Sequence, residues 1–444
     1  MKREEVVSHL KAFDPEIYTL LEEERERQRY NLSLMPNMNT MSPFAKYLEG
    51  SILTNSFFDR NDETSSGGLH LDGIVRQRAM DLFHSDHAIV RLGNIVAASR
   101  VVFQALLSPG DTVLSFNLRK QEHCAGLNYT FENFGISPDT QTVDWDAVMT
   151  RAKSIRPRLL IFSPVSYPRI PDYAKLAEIA HAVGASLWVD IGQSVGLVAA
   201  GLLPSPVSAA DIVTFPTNAS LHGPNGAIIL CKKALAQRLD DAVVNTGHTA
   251  LHMNRLAALG VALHEATSAA ARQYGRQVLA NAQTLAKSLT QNGGTLLCGG
   301  TDTHLVLAAP SGTVNIVEAV HHLAHIGLLV KLDHLPTMQM ELFLHALRLS
   351  SLNPTTRACK EEDMTVIGKL LARALSAPLF VQEIERMRKE VAALIVNKPI
   401  FSNEWFVETG NDENTFYDES DTGAMHEHVA AERKAIMKKL FRWK

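Results

Sequence analysis

Between residues 70 and 235, short apolar runs alternate with stretches of helical period. The runs at 88–92, 112–116, 159–163, 186–190, 211–215 and 227–231 predict strands. Helical periods fall between them, clearest at 93–107 and 173–183. Strands that are apolar throughout and separated by helices predict a mostly parallel sheet covered on both faces. Ligands of such sheets sit at the carboxyl ends of the strands. Ser163, Asp190 and the run Thr214 to Asn218 are candidates by position alone.

The flanking segments read differently. Residues 5–30 predict a helix, with Asp14 as a cap, Pro15 at a first helical position and Glu-to-Arg pairs between Glu22 and Arg27. Residues 31–68, with Pro36, Pro43 and Gly50, predict irregular chain. Residues 250–292 predict helix, with alanine-rich turns. Residues 294–375 predict a smaller α+β unit, with strands at 295–297, 304–308, 328–332 and 346–349 and helices at 314–326 and 361–375. A helix at 378–394 follows, then an acidic stretch from Glu404 to Asp421 and a basic, amphipathic helix from Met425 to Lys444. The expected division is an N-terminal helix and arm over 1–68, a large α/β domain over 69–290, a small α+β domain over 291–399, and an acidic linker with a basic C-terminal helix over 400–444.

Composition narrows the function classes. Hydrophobic residues at 46% and charged residues at 20% exclude a mostly disordered chain. A net charge of -4 gives no basic field for nucleic acid. No apolar run approaches the ~20 residues of a membrane span. The charged start Met1-Lys2-Arg3-Glu4-Glu5 lacks the apolar core of a signal peptide, so the cytoplasm is the expected location. Cys124, Cys231, Cys298 and Cys359 lie far apart without zinc spacing, which predicts free thiols. His321, His322 and His325 have no neighbouring carboxylate and read as a solvated helix face. Asp190 closes the apolar run Leu187-Trp188-Val189, where an acid is either a ligand contact or the cap of the next helix.

Several segments, in order and with small gaps, carry a resemblance. They include Asp14-Pro15-Glu16 with Glu24-Arg25-Glu26-Arg27-Gln28, Leu53-Thr54-Asn55, Leu107-Ser108-Pro109-Gly110-Asp111, and Tyr167-Pro168-Arg169. Val189-Asp190 with Gly196-Leu197-Val198-Ala199-Ala200-Gly201, Gly299-Gly300-Thr301-Asp302 with His304, and Thr355-Thr356-Arg357 continue the series. From about residue 13 to about 375 the chain resembles serine hydroxymethyltransferase. The resemblance implies the fold type I arrangement of pyridoxal-phosphate enzymes, an aspartate-aminotransferase-like fold, and a homodimer. It also implies a site built from a Schiff-base lysine, a pyridine-pairing Asp, a stacking His, a phosphate cup and a carboxylate-clamping Arg.

By that alignment Asp190 is the pyridine partner, His123 the stacking histidine and Arg348 the carboxylate clamp. Asn94 and Asn218 fall in the cofactor cup, and Tyr167, Asn37 and Asp59 on the substrate side. The rest has changed. Ala219 stands at the Schiff-base position, where a methyl group cannot form an imine. The cup reads Asn94-Ile95-Val96 and Thr249-Ala250, the early loop Phe57 and Asp59, and the histidine after Val-Asp is Gln193. Covalent attachment of pyridoxal phosphate is therefore not expected. Tetrahydrofolate is not expected either, because the family's Asn-Lys-Asn stretch reads Lys331-Leu332-Asp333. The expected function is a divergent member with a degenerate site that binds a small carboxylate or amino-acid-like ligand. The alternative is pyridoxal-phosphate-dependent hydroxymethyl transfer or aldol cleavage on glycine or serine, with the cofactor held noncovalently or the lysine removed by engineering. Residues 400–444 are a candidate surface for a protein partner.

Overall fold

The computed structural model describes residues 3–55, 57–58, 66–116, 128–248, 250–311, 314–337 and 343–405. Seven strands form the central sheet: β1 (His87–Leu92), β2 (Thr112–Phe116), β3 (Thr130–Phe134), β4 (Leu159–Phe162), β5 (Ser186–Asp190), β6 (Ile212–Pro216) and β7 (Ala227–Cys231). Their spatial order is β1-β7-β6-β5-β4-β2-β3. β7 runs antiparallel to both neighbours, and the other pairs are parallel. The reversal has a local cause. Only residues 217–226 join β6 to β7, and a connection without a crossover helix can join only antiparallel neighbours.

The apolar runs predict six of these strands to within a residue or so. They miss β3, a sheet-edge strand of sequence Thr-Phe-Glu-Asn-Phe in which only Phe134 is buried. The inner strands are continuously apolar because both faces are covered. Leu114, Leu160 and Val189 pack with Val148 and Ile179 of the helices Trp145–Ile155 and Tyr173–Ala182. On the other face Val113, Ile161 and Ile212 pack with Val101 and Leu239 of the helices Ile95–Leu106 and Ala236–Asn245. Each such side chain contributes about 1.5–3 kcal/mol of transfer free energy.

A second, antiparallel sheet holds β8 (Thr295–Leu296), β9 (Leu305–Ala309), β10 (Lys331–Pro336) and β11 (Phe343–Ser350), in the order β8-β9-β11-β10. The predicted strand at 328–332 divides. Leu328–Leu329 pairs in parallel with Leu32–Ser33, and β10 begins two residues later. Leu347 and Leu349 bury against Leu285, Leu289, Ile367 and Leu371 of the helices Ala269–Gln291 and Glu361–Ser376.

The arm is more ordered than its composition predicts. The helix expected at 5–30 is two, Arg3–Phe13 and Pro15–Tyr30, divided where Asp14 accepts the Ile17 N–H at 3.0 Å. The stretch expected to be irregular holds the helix Pro43–Glu49, capped by Ser42, and the start of the helix Ser66–Phe83. The helix expected at 250–292 is also two, Met253–Glu265 and Ala269–Gln291, the second capped by Ser268. The helix expected at 378–394 is Val381–Ile395. Cys231, Cys298 and Cys359 are buried and free, as predicted, whereas Cys124 and the segment 406–444 lie outside the described residues. Among the described residues no helix is long and apolar enough to cross a membrane.

Candidate functional site

Asp190 ends β5 at the carboxyl edge of the sheet. Trp188, two residues earlier on the same strand face, donates its indole N–H to Thr214 Oγ1 at 2.8 Å. Thr214 lies opposite Asp190 in β6 and donates its hydroxyl to Asp190 Oδ2 at 2.9 Å. Asp190 Oδ1 accepts the Gly192 N–H at 2.9 Å. A side chain at Gly192 would meet Pro216 Cδ at 2.6 Å, so this turn admits only glycine. The next helix, Val195–Ala199, is preceded by Ser194, so Asp190 is not its cap. Burial pushes the Asp190 carboxyl up to about 6, against the two hydrogen bonds that lower it.

The hairpin between β6 and β7 carries position 219. Ala219–Leu221 is a single 3-10 turn, and Ala219 takes the left-handed conformation, with φ 53°. Its carbonyl accepts from Asn39 Nδ2 at 3.0 Å and from the His222 N–H at 3.3 Å. Ser220 Oγ accepts the Gly196 N–H at 3.1 Å, and a Cβ on Gly196 would fall 2.1 Å from the Ser220 carbonyl oxygen. Thr217 Oγ1 donates to the Pro224 carbonyl at 2.6 Å. The loop is thus fixed by its neighbours, with a methyl group at its tip. Lys232 and Lys233 follow β7, whose five residues at about 3.3 Å each carry the chain roughly 16 Å from the hairpin.

Arg348 lies in β11 and is 2% exposed. Its Nη1 stands 3.0 Å from Asp333 Oδ2 and donates to the Val165 carbonyl at 3.0 Å. Asp333, on β10, also accepts from Ser166 Oγ at 3.0 Å and from the His334 N–H at 2.9 Å. The guanidinium therefore already holds a carboxylate.

A cleft beside Asp190 is lined by Tyr167, Tyr173, Gln193, Ser194 and His304. His304 is buried, with Nδ1 3.0 Å from Ser350 Oγ and Nε2 2.5 Å from the Gln193 carbonyl oxygen. Desolvation holds its imidazole down to about 4, with Arg348 adding a smaller push in the same direction. Tyr173 is raised, first by burial and then by the charge of Asp190. Among the described residues the buried Gln193 Oε1 has no hydrogen-bond partner. Asp190 and Gln193, both carrying acceptor oxygens, line the same cleft.

The other predicted residues fall as follows. Asn94 caps the helix Ile95–Leu106, its Oδ1 accepting the Ala97 N–H at 2.8 Å. Asn218 donates to Asn225 Oδ1 at 3.1 Å. Tyr167 is buried against the ring of Phe116 at 5.7 Å. Asn37 is exposed on a turn, and its neighbour Asn39 is the one that reaches the hairpin. His123, Asp59 and Thr249 lie outside the described residues. Sequence reasoning marked Thr214 by its position at a strand end, and missed Asn39 and Asp333 as members of this region. The signal for Asp333 was a charge where the family carries an amide.

The motif segments meet in space. Arg169 Nη1 bonds Asp302 Oδ1 at 2.8 Å, and Arg169 Nε bonds the Cys298 carbonyl at 2.8 Å, joining Tyr167-Pro168-Arg169 to Gly299-Gly300-Thr301-Asp302. Comparison with known proteins agrees. A family model described as serine hydroxymethyltransferase matches residues 10–371. A serine hydroxymethyltransferase of Myxococcus xanthus (strain DK1622) is 33% identical over 416 residues, covering 90% of this chain and 99% of that protein. The mostly parallel sheet with its smaller α+β unit is the fold type I arrangement that the sequence implied. The chain belongs to the serine hydroxymethyltransferase family.

Proposed function

We propose that this family member has a degenerate site and binds a small amino-acid-like ligand in the cleft beside Asp190, without covalent attachment of an aldehyde cofactor. The observation that carries the proposal is Ala219: a methyl group at the tip of a loop tied down through its carbonyl and its flanking residues. The cup supports the same reading. Asn94 is engaged in capping its helix, and Ile95 and Val96 supply no hydroxyl donors. A hydrogen bond to a charged group contributes about 1.5–3 kcal/mol. Two lost donors remove about 3–6 kcal/mol from a phosphate site, a hundredfold or more in affinity. Asp190 and the unpartnered Gln193 Oε1 favour a ligand that brings an amine to the cleft. Assembly as a homodimer in the cytoplasm, and a protein partner on 400–444, belong to the same proposal.

A second reading is favoured by one observation. Asp190 keeps an ordered carboxylate, held by Thr214 and Gly192, at the place where the family pairs the pyridine ring. Such a group suits a noncovalently held pyridoxal phosphate that supports hydroxymethyl transfer. The test is to add pyridoxal phosphate to the full chain, reduce with borohydride and measure the intact mass. An unmodified chain, with no visible absorption band after glycine is added, supports the first reading. A stoichiometric adduct or a glycine-dependent band supports the second.

A further inference from the structure

We propose that Asp333 is a resident carboxylate that closes Arg348 to acidic ligands, so that the cleft takes amines whose acid group is absent or masked and excludes free amino acids. This deepens the proposed function and rests on it for the location of the ligand. The evidence is a buried pair. Arg348 is 2% exposed and Asp333 8%, and their charges stand 3.0 Å apart. Asp333 is not a loose counter-ion. Ser166 Oγ and the His334 N–H each bond one of its oxygens, so both are engaged from the protein side. Register fixes the arrangement as well: Asp333 opposes Ala346 and Lys331 opposes Arg348, which puts all four on one face of the sheet.

An incoming carboxylate would have to displace Asp333 from Arg348, Ser166 and a backbone N–H at once. It would also leave the displaced acid buried, a state that costs several kcal/mol. A ligand amine meets no such barrier, because Gln193 Oε1 has no partner among the described residues to give up. The Arg348–Asp333 pair stands behind the cleft wall, held through Val165 and Ser166 between the lining residues Pro164 and Tyr167, so an acid that reaches Arg348 Nη1 finds it engaged.

The test uses acetate and glycine as probes on the full chain, with binding followed by calorimetry. Wild type is expected to bind neither measurably. Asp333→Ala, which opens a carboxylate-sized space on Arg348, is expected to bind acetate at least about tenfold more tightly, the equivalent of one charge-assisted hydrogen bond. Acetate should also raise its unfolding temperature. The gain should vanish in Asp333→Ala/Arg348→Met. Where Asp333→Ala does not fold, Ser166→Ala keeps both charges and removes one anchor of Asp333, and it should show a smaller gain of the same sign. Wild type binding acetate or glycine in an Arg348-dependent way would overturn the inference, as would a folded Asp333→Ala without the gain. Glycinamide is titrated in parallel into wild type. Its failure to bind counts against the amine-binding cleft alone, since the acetate response of the variants reports on Asp333 whatever the cleft prefers.

Discussion

The side-chain amide of Asn39 donates to the backbone carbonyl of Ala219 at 3.0 Å, across 180 residues of sequence. The same amide group donates to Tyr274 Oη at 3.2 Å, and Asn39 Oδ1 accepts from Thr356 Oγ1 at 2.8 Å. One residue of the early loop therefore joins the hairpin, the long helix and the small domain. Asn39→Ala removes all three bonds, while the Ala219 carbonyl, Tyr274 Oη and Thr356 Oγ1 each keep another partner, so it should cost about 2–4 kcal/mol through the lost bonds alone. Urea unfolding checks this, and a loss under about 1 kcal/mol would show that water replaces the amide.

Position 219 bears directly on the proposed function. A lysine there pays no backbone penalty beyond that of the present alanine, because both carry a Cβ at φ 53°. Ala219→Lys should therefore fold and give a borohydride-trapped adduct with pyridoxal phosphate, whereas wild type should not. Intact mass is the readout. Glycine at the same position relieves the left-handed strain, and Ala219→Gly should be more stable by about 0.5–1 kcal/mol.

Gly196 is a packing requirement of the hairpin. Its missing side chain lets the Ser220 carbonyl approach to where a Cβ would stand 2.1 Å away, and the contact is with backbone, which cannot rotate aside. Gly196→Ala should shift the 3-10 turn and cost about 3 kcal/mol or more, seen as a thermal midpoint lowered by several degrees.

Much of the fold was legible, because buried parallel strands write themselves as unbroken apolar runs; Leu159 to Phe162 is fully buried at every position. β3 was not, since an edge strand needs only Phe134 inside. Candidates that lie within one segment could be placed from the sequence: Asp190 closes β5 and Ala219 lies in the β6–β7 hairpin. The site was hidden where it depends on pairing between strands. Nothing local to Arg348 shows that Asp333 occupies it, for that contact is set by the register of β10 on β11. Asn37 and Asn39 are both polar residues on one loop, and only the fold turns Asn39 toward the hairpin.

Arg357 shows that an ordered motif can be structural. It is 2% exposed and donates to five backbone carbonyls, those of Gln28, Arg29, Asn31, Lys398 and Pro399, at 2.6–3.4 Å. It thereby ties the end of the helix Pro15–Tyr30 to the small domain. Arg357→Met keeps most of the volume and loses every donor, leaving several carbonyls without them. The expected cost is about 3–5 kcal/mol. The prediction also has a local signature: limited proteolysis should cut the first 30 residues much faster than in wild type.

Four buried or half-buried groups bear on the pH response, His304, His222, Asp190 and Glu265, and their signs differ; burial raises Glu265 from 4.5 to about 7. Burial lowers His304 and His222 from 6.5 to about 4, so the unfolded chain takes up these protons first. Their contribution is complete above 6.5 and is lost as pH falls toward 4, about 3 kcal/mol for each. Burial raises Asp190 from 3.8 to about 6, so the folded state keeps that proton longer. Its ionisation costs stability above about 6, and the cost disappears below 3.8. Glu265 acts in the same sense as Asp190 between 4.5 and about 7. The two histidines and the two raised carboxyls nearly offset each other in the shared range, so the wild-type urea midpoint should change little between pH 6.5 and 4. His304→Gln with His222→Gln should leave the carboxyls unopposed and make the midpoint rise as pH falls through that range. Asp190→Asn should raise the midpoint at pH 8 and leave it nearly unchanged at pH 3.5. A double histidine variant whose midpoint stays as flat as that of wild type would assign the balance to other groups.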